Sequence, residues 1–167
     1  MGSRWKALSR LLHVHTETAP GAVKTSVFLR HLDGGSSNVF ESELTALTNP
    51  IYDLAQYGIR FVASPSHADA LLLTGPLTRN MLAPARAAFR VMPSPKAIIT
   101  VGDYAAIDRT SLTGDGVVTG IAALFANSYA TVDLPDDMRH AVVAHVPGDP
   151  PEPAAIIDTL LTWIRSR

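Results

Sequence analysis

Residues 60–81, RFVASPSHADALLLTGPLTRNM, decide how this chain is read. They hold two short apolar runs, 61–63 and 70–74, each followed by a punctuating loop. Continuous apolar runs of this length suit strands buried on both faces, the pattern of a parallel sheet. The runs stop at small polar residues, Ser64-Pro65-Ser66-His67 and Thr74-Gly75-Pro76. In open α/β sheets ligands gather at the carboxyl ends of the strands. The working face is therefore expected in such loops.

At 167 residues the chain is long enough for one domain with a real core. It is 47% hydrophobic with mean hydropathy +0.16, and only 17% of its residues are charged, against ~25% in typical globular domains. That balance suits a subunit with faces buried against partners. A net charge of −1 leaves no electrostatic footprint for nucleic acid. No apolar run approaches the ~20 residues of a membrane helix, and no signal-peptide pattern is present, so the expected location is cytoplasmic. The chain has no cysteine. Disulfides, thiol catalysis and cysteine-held metal clusters are excluded.

Outward from the quoted stretch, residues 25–32 (TSVFLRHL) read as a first strand. Residues 97–101 (AIITV) read as a fourth. Between the first strand and residue 60, Phe40, Leu44 and Leu47 recur at helical spacing, with Glu41 and Glu43 in the first turn where the helix dipole favours them. A second short helix over 51–57 is closed by Gly58. Residues 81–92 form a further helix, with Pro84 tolerated if it falls in the first turn. Residues 106–140 predict a loop-rich excursion with one helix near 122–129. An apolar run at 141–146 leads to Pro147-Gly148-Asp149-Pro150-Pro151-Glu152-Pro153, and a last helix over 154–165 buries Ile156, Ile157, Leu160, Leu161 and Ile164. Residues 2–12 predict an amphipathic helix with Trp5, Leu8, Leu11 and Leu12 on one side. The expected organisation is an amphipathic helix and linker over 1–25 and a single α/β domain over 26–167.

Several site readings compete. Ser37, His67 and Asp69 can be drawn as a hydrolytic triad, but no G-x-S-x-G elbow exists. Gly34-Gly35-Ser36-Ser37 before a helix could bind an anion on its N–H groups; it lacks a phosphate-loop lysine, and an ordinary turn is the plainer account. His13 and His15 have no third metal ligand nearby. His31, His140 and His145 are scattered and read as structural.

The loops together carry a resemblance. Gly35-Ser36-Ser37-Asn38-Val39-Phe40-Glu41-Ser42-Glu43 matches G-S-C-N-x-C-E-x-E. Ser64-Pro65-Ser66-His67-Ala68-Asp69 matches S-P-R-x-A-D, and Thr74-Gly75-Pro76-Leu77-Thr78-Arg79-Asn80-Met81 matches T-G-P-x-T-x-x-M. Met92-Pro93-Ser94-Pro95-Lys96, Gly102-Asp103-Tyr104-Ala105 and the 147–153 segment match M-P-x-P-K, G-x-C-A and P-G-C-P-P-x-P. From about residue 28 to 163 the chain resembles the small, cluster-carrying subunit shared by respiratory complex I (its 20-kDa subunit) and the membrane-bound group 4 NiFe hydrogenases, including formate hydrogenlyase. The resemblance implies a flavodoxin-like α/β fold, a mainly parallel four-stranded sheet with helices on both faces.

In that family the cysteines of these blocks hold a 4Fe–4S cluster, which requires thiolates. Here the four positions are Ser37, Phe40, Tyr104 and Asp149, and Ser66 replaces a loop arginine. The resemblance therefore implies a family member without its cluster, with no cofactor and no metal. The two rings are expected to fill the vacated volume, with Asp149 hydrogen-bonded to Tyr104, Ser37 or water. Glu41 stands where the family has a glutamate associated with proton relay; without a redox partner, Glu41 and Glu43 read as solvated or capping carboxylates. The expected function is that of a cluster-free structural subunit of a membrane-associated complex. It would dock a homologue of the large catalytic subunit and the membrane arm, peripheral on the cytoplasmic face of the inner membrane, with no transmembrane helix of its own. The alternatives are a small-molecule-binding module or enzyme using the vacated site as a pocket, and electron transfer by a cluster that neighbouring subunits bind.

Overall fold

A computed structural model describes residues 26–36, 38–103 and 131–167. Its elements are β1 (Val27–Asp33), α1 (Val39–Ala46), a 3-10 turn (Leu54–Tyr57), β2 (Ile59–Phe61), a second 3-10 turn (Pro65–His67), β3 (Ala70–Thr74), α2 (Arg79–Val91), β4 (Ala97–Val101), α3 (Asp136–Arg139), β5 (Val142–Val146) and α4 (Pro153–Arg165). The predicted helix over 2–12, the linker up to residue 25 and the helix near 122–129 lie outside the described residues.

The strands form one parallel sheet in the order β2-β1-β3-β4-β5, the doubly wound order of flavodoxin-like folds. It has five strands, not four. The run at 141–146 had no strand signal beyond its apolarity, yet it supplies the edge strand β5. Its pairing with β4 slips between Ile98 and Ile99, so Val142 packs on one face of the sheet and Ala144 and Val146 on the other. A local slip of this kind erases the period-2 signature by which a strand is recognised.

β3 and β4 are buried at every position, as the uninterrupted apolar runs require. Each fully buried leucine contributes about 1.5–3 kcal/mol, and Leu71, Leu72 and Leu73 are at most 1% exposed, so β3 anchors both layers. On one face Phe40, Leu44, Ile156 and Leu160 bring α1 and α4 onto Val27, Leu29, Leu72 and Ile99. On the other, Ala85, Phe89 and Met138 bring α2 and α3 onto Leu71, Leu73 and Ile98.

Two local expectations change. Residues 51–57 do not form an α-helix: only Leu54–Tyr57 is helical, as a 3-10 turn opened by the Asp53 side chain and closed by Gly58 at φ 77°. Pro84 falls inside α2, not in its first turn. It removes the N–H that would bond Asn80, and both residues are exposed, so water can serve the freed carbonyl.

The register sets one edge of the sheet level. Asp33, Thr74 and Val101 pair in a row, and Val101 pairs with Val146. β2 departs from this pattern. Both Phe61, where β2 ends, and Ala70, where β3 begins, pair with Leu29. The connection 62–69 therefore only has to cross β1, which it does on the Leu32 and Ala68 side. Its ends lie four residues short of the level edge, about 13 Å at the rise of a parallel strand. The expectation that the 64–69 loop joins the working face is corrected on this ground.

Candidate functional site

The loops at the level edge extend the sheet's ladder by one rung. Gly34 N–H donates to Thr74 O (3.0 Å), Gly75 N–H to Val101 O (3.1 Å) and Gly102 N–H to Val146 O (2.9 Å). Gly75 and Gly102 hold φ of 65° and 99°, where L side chains are strained. The Thr78 N–H and hydroxyl both donate to Gly34 O at 2.8 Å, tying the loop after β1 to the loop after β3.

Phe40 packs against the loop after β4. It is 2% exposed, and its ring rests on Gly102: a Cβ built there would meet Cε1 at 2.4 Å and Cζ at 2.6 Å. Beyond it, Asp103 closes the loop after β4 onto the loop after β5, accepting from Gly148 N–H at 2.7 Å. Ser37 and Tyr104 lie outside the described residues. Asp149 is exposed and makes no hydrogen bond to a described residue. The contacts expected of Asp149 with Ser37 and Tyr104 thus fall outside the described residues, and the carboxylate that ties the two loops together is that of Asp103.

The Gly-rich turn is already occupied by its own anion. Asp33 accepts from Gly35 N–H at 2.8 Å and Ser36 N–H at 2.7 Å, and a second anion would meet that carboxylate. The triad drawn from Ser37, His67 and Asp69 fails on the register: His67 and Asp69 sit in the connection that crosses β1. Asp69 is spent there on Phe28 N–H (2.8 Å) and on Arg167 (3.5 Å).

Glu41 is not a cap. Its carboxylate accepts from the Ser36 hydroxyl at 2.6 Å and the Thr74 hydroxyl at 2.9 Å, and lies 3.4 Å from His31 Nε2. His31 Nε2 is also 2.9 Å from the Thr74 oxygen. The cluster ties β1, β3 and α1 together. Burial pushes the His31 imidazole below its ordinary pKa; the Glu41 and Asp33 carboxylates oppose this and Arg30 adds to it. His145 is likewise lowered by burial, against Asp103, and its Nδ1 lies 2.9 Å from the Thr100 hydroxyl. The missed signal was parity. Val27, Leu29 and His31 share one face of β1, as do Leu72 and Thr74 on β3, and polar side chains on a buried face need partners.

The family profile of the NADH ubiquinone oxidoreductase 20 Kd subunit matches residues 40–163. The chain belongs to this family. It is 32% identical over 132 residues to the probable membrane-bound hydrogenase subunit mbhJ of Pyrococcus furiosus, covering 79% of this chain and 70% of that protein. To formate hydrogenlyase subunit 7 of Escherichia coli it is 33% identical over 135 residues, or 81% of this chain and 47% of that one. The chain thus spans about half the length of the formate hydrogenlyase relative. A chain in the structure of the membrane-bound sulfane sulfur reductase (MBS), an archaeal respiratory membrane complex, shares the fold with a TM-score of 0.61 at 21% identity, over 85% of this chain and 70% of that chain. Among the described residues no helix is long and apolar enough to cross a membrane.

The residues present do not fit a 4Fe–4S cluster. The chain offers no thiolate, and at one ligand position a phenyl ring with no donor atom is packed on the glycine of the facing loop. This family member lacks the cluster-binding cysteines while its parallel α/β fold is kept.

Proposed function

We propose that the chain is a cluster-free structural subunit of a membrane-associated complex related to complex I and the group 4 hydrogenases, docking a homologue of the catalytic large subunit and the membrane arm. The observation that carries this reading is the Phe40 ring on Gly102. The glycine turns of the family's loops are kept, while apolar packing stands where a ligand atom would be needed. The relatives named as membrane-bound hydrogenase and formate hydrogenlyase subunits support a place in a larger assembly. On this reading the chain is peripheral, on the cytoplasmic face of the inner membrane, and residues 2–12 strengthen its attachment. The same ring argues against the vacated site as an open ligand pocket.

Two measurements test the proposal. Anaerobic purification followed by iron and sulfide assay should find neither in stoichiometric amount. Co-expression with a large-subunit homologue from the same genome should yield a stable heteromer. A chain that carries a full complement of iron, or that stays monomeric beside every such homologue, overturns it.

A further inference from the structure

We propose that the groove between β1, β2 and α1 is a binding site for a cationic N–H donor on an aliphatic stem, a lysine or arginine side chain of the docked protein. The groove, of about 270 Å³, is open along one side and lined by His31, Glu41, Leu44, Thr45, Thr48 and Phe61. The inference rests on the reading above for the source of the side chain, but not for the chemistry of the site.

Hydrogen bookkeeping fixes that chemistry. The Thr45 hydroxyl donates to Glu41 O at 2.8 Å and the Thr48 hydroxyl to Thr45 O at 2.8 Å. Each has spent its only hydrogen, so both oxygens offer lone pairs alone. Behind the groove, Ser36 and Thr74 spend their hydrogens on Glu41. Because the Thr74 hydrogen is so committed, the bond between Thr74 and His31 takes its hydrogen from imidazole Nε2. In the neutral ring Nδ1 is then an acceptor. The side-chain polar groups lining the groove are thus acceptors, and a matching ligand must bring donors.

Charge points the same way. The Glu41 side chain is 23% exposed, and its ion contact among the described residues is His31, whose neutral form burial favours. Arg30, the residue before His31 in β1, projects to the opposite face of the sheet. A carboxylate largely withdrawn from water, held by two hydroxyls and a neutral imidazole and with no lysine or arginine beside it among the described residues, is a charge that a cationic partner would complement. Leu44 and Phe61 supply apolar wall for a methylene stem, and the Phe61 ring a face on which a guanidinium can lie. An open groove suits a side chain presented from a second protein surface.

The test titrates the purified full chain with n-butylguanidinium and n-butylammonium, with n-butylurea as the uncharged control, and follows His31, Thr45, Thr48 and Phe61 resonances by NMR. Saturable shifts are expected with the two cations and not with the urea. E41Q should weaken cation binding at least about tenfold, the worth of one charge-assisted contact. T48V, which leaves the Ser36–Glu41–Thr74 set intact, should weaken it several-fold. Shifts of equal size with the urea, or none with any probe, overturn the site. In a second arm, E41Q is introduced into the co-expressed heteromer, where it should speed dissociation. A heteromer that forms and is indifferent to E41Q while the probes bind assigns the groove to free amines and overturns the partner side chain. Absence of any heteromer while the probes bind counts against the structural-subunit reading and leaves the groove's chemistry standing.

Discussion

The ring of Phe40 lies directly on Gly102, so close that a single added methyl would stand 2.4 Å from its Cε1. One residue lies in the first turn of α1 and the other follows β4, so the contact locks a helix to a rim loop. Phe40→Ala should cost about 3–5 kcal/mol, the range for truncating a buried aromatic. Gly102→Ala should also destabilise, since its φ of 99° strains any side chain, by about 1–3 kcal/mol from backbone strain alone. Removing the ring makes room for the methyl, so the double mutant should cost clearly less than the sum of the single ones. Chemical denaturation of the three variants measures this; strict additivity, or a Phe40→Ala loss below about 1 kcal/mol, would sink the filled-site account.

Glu41→Ala should leave the fully buried Thr74 hydroxyl without its acceptor. The expected loss is about 1–3 kcal/mol. Glu41→Gln keeps an acceptor oxygen and should lose less. Equal losses for the two variants would mean that the carboxylate's charge, and not its hydrogen bonds, holds the cluster.

The His31 pKa is depressed in the folded protein. The unfolded chain therefore binds the proton more readily, at its ordinary value of about 6.5. The stabilisation is fully present above that value and is lost as pH falls from there towards the lowered folded pKa. NMR titration of the imidazole should place its midpoint below the ordinary value. Glu41→Gln removes a carboxylate that opposes the depression and should lower the midpoint further. A midpoint raised by that substitution would refute the assignment.

Asp103→Ala should free the Gly148 amide. Because the carboxylate is exposed, the stability change should be small, about 0.5–1.5 kcal/mol at most. The sensitive readout is hydrogen exchange at Gly148, which should accelerate in the variant. Unchanged exchange would show that Asp103 does not hold the loop after β5.

Legibility in the sequence followed locality. The runs LLLT at 71–74 and AIITV at 97–101 announce two-sided burial because burial on both faces leaves no alternation to misread. Glycines at 75 and 102 announce turns because their backbone conformations exclude side chains. β5 escaped because its pairing slips, and Pro84 was misplaced because exposed helix interiors can hydrate a freed carbonyl. Asp103 and the His31–Glu41–Thr74 cluster gave only a parity hint, since their partners are set by strand pairing.

The sequence by itself determined that no thiolate exists to hold a cluster, that the sheet is parallel with its turns at glycine and proline, and to which family the chain belongs. These follow from residue identity and nearest-neighbour spacing. Only the tertiary structure decided that 62–69 crosses β1 short of the rim, that the Phe40 ring rests on Gly102, and that Glu41 meets Ser36, Thr74 and His31. Each depends on register between strands distant in sequence, where one residue of slip would turn a side chain to the opposite face.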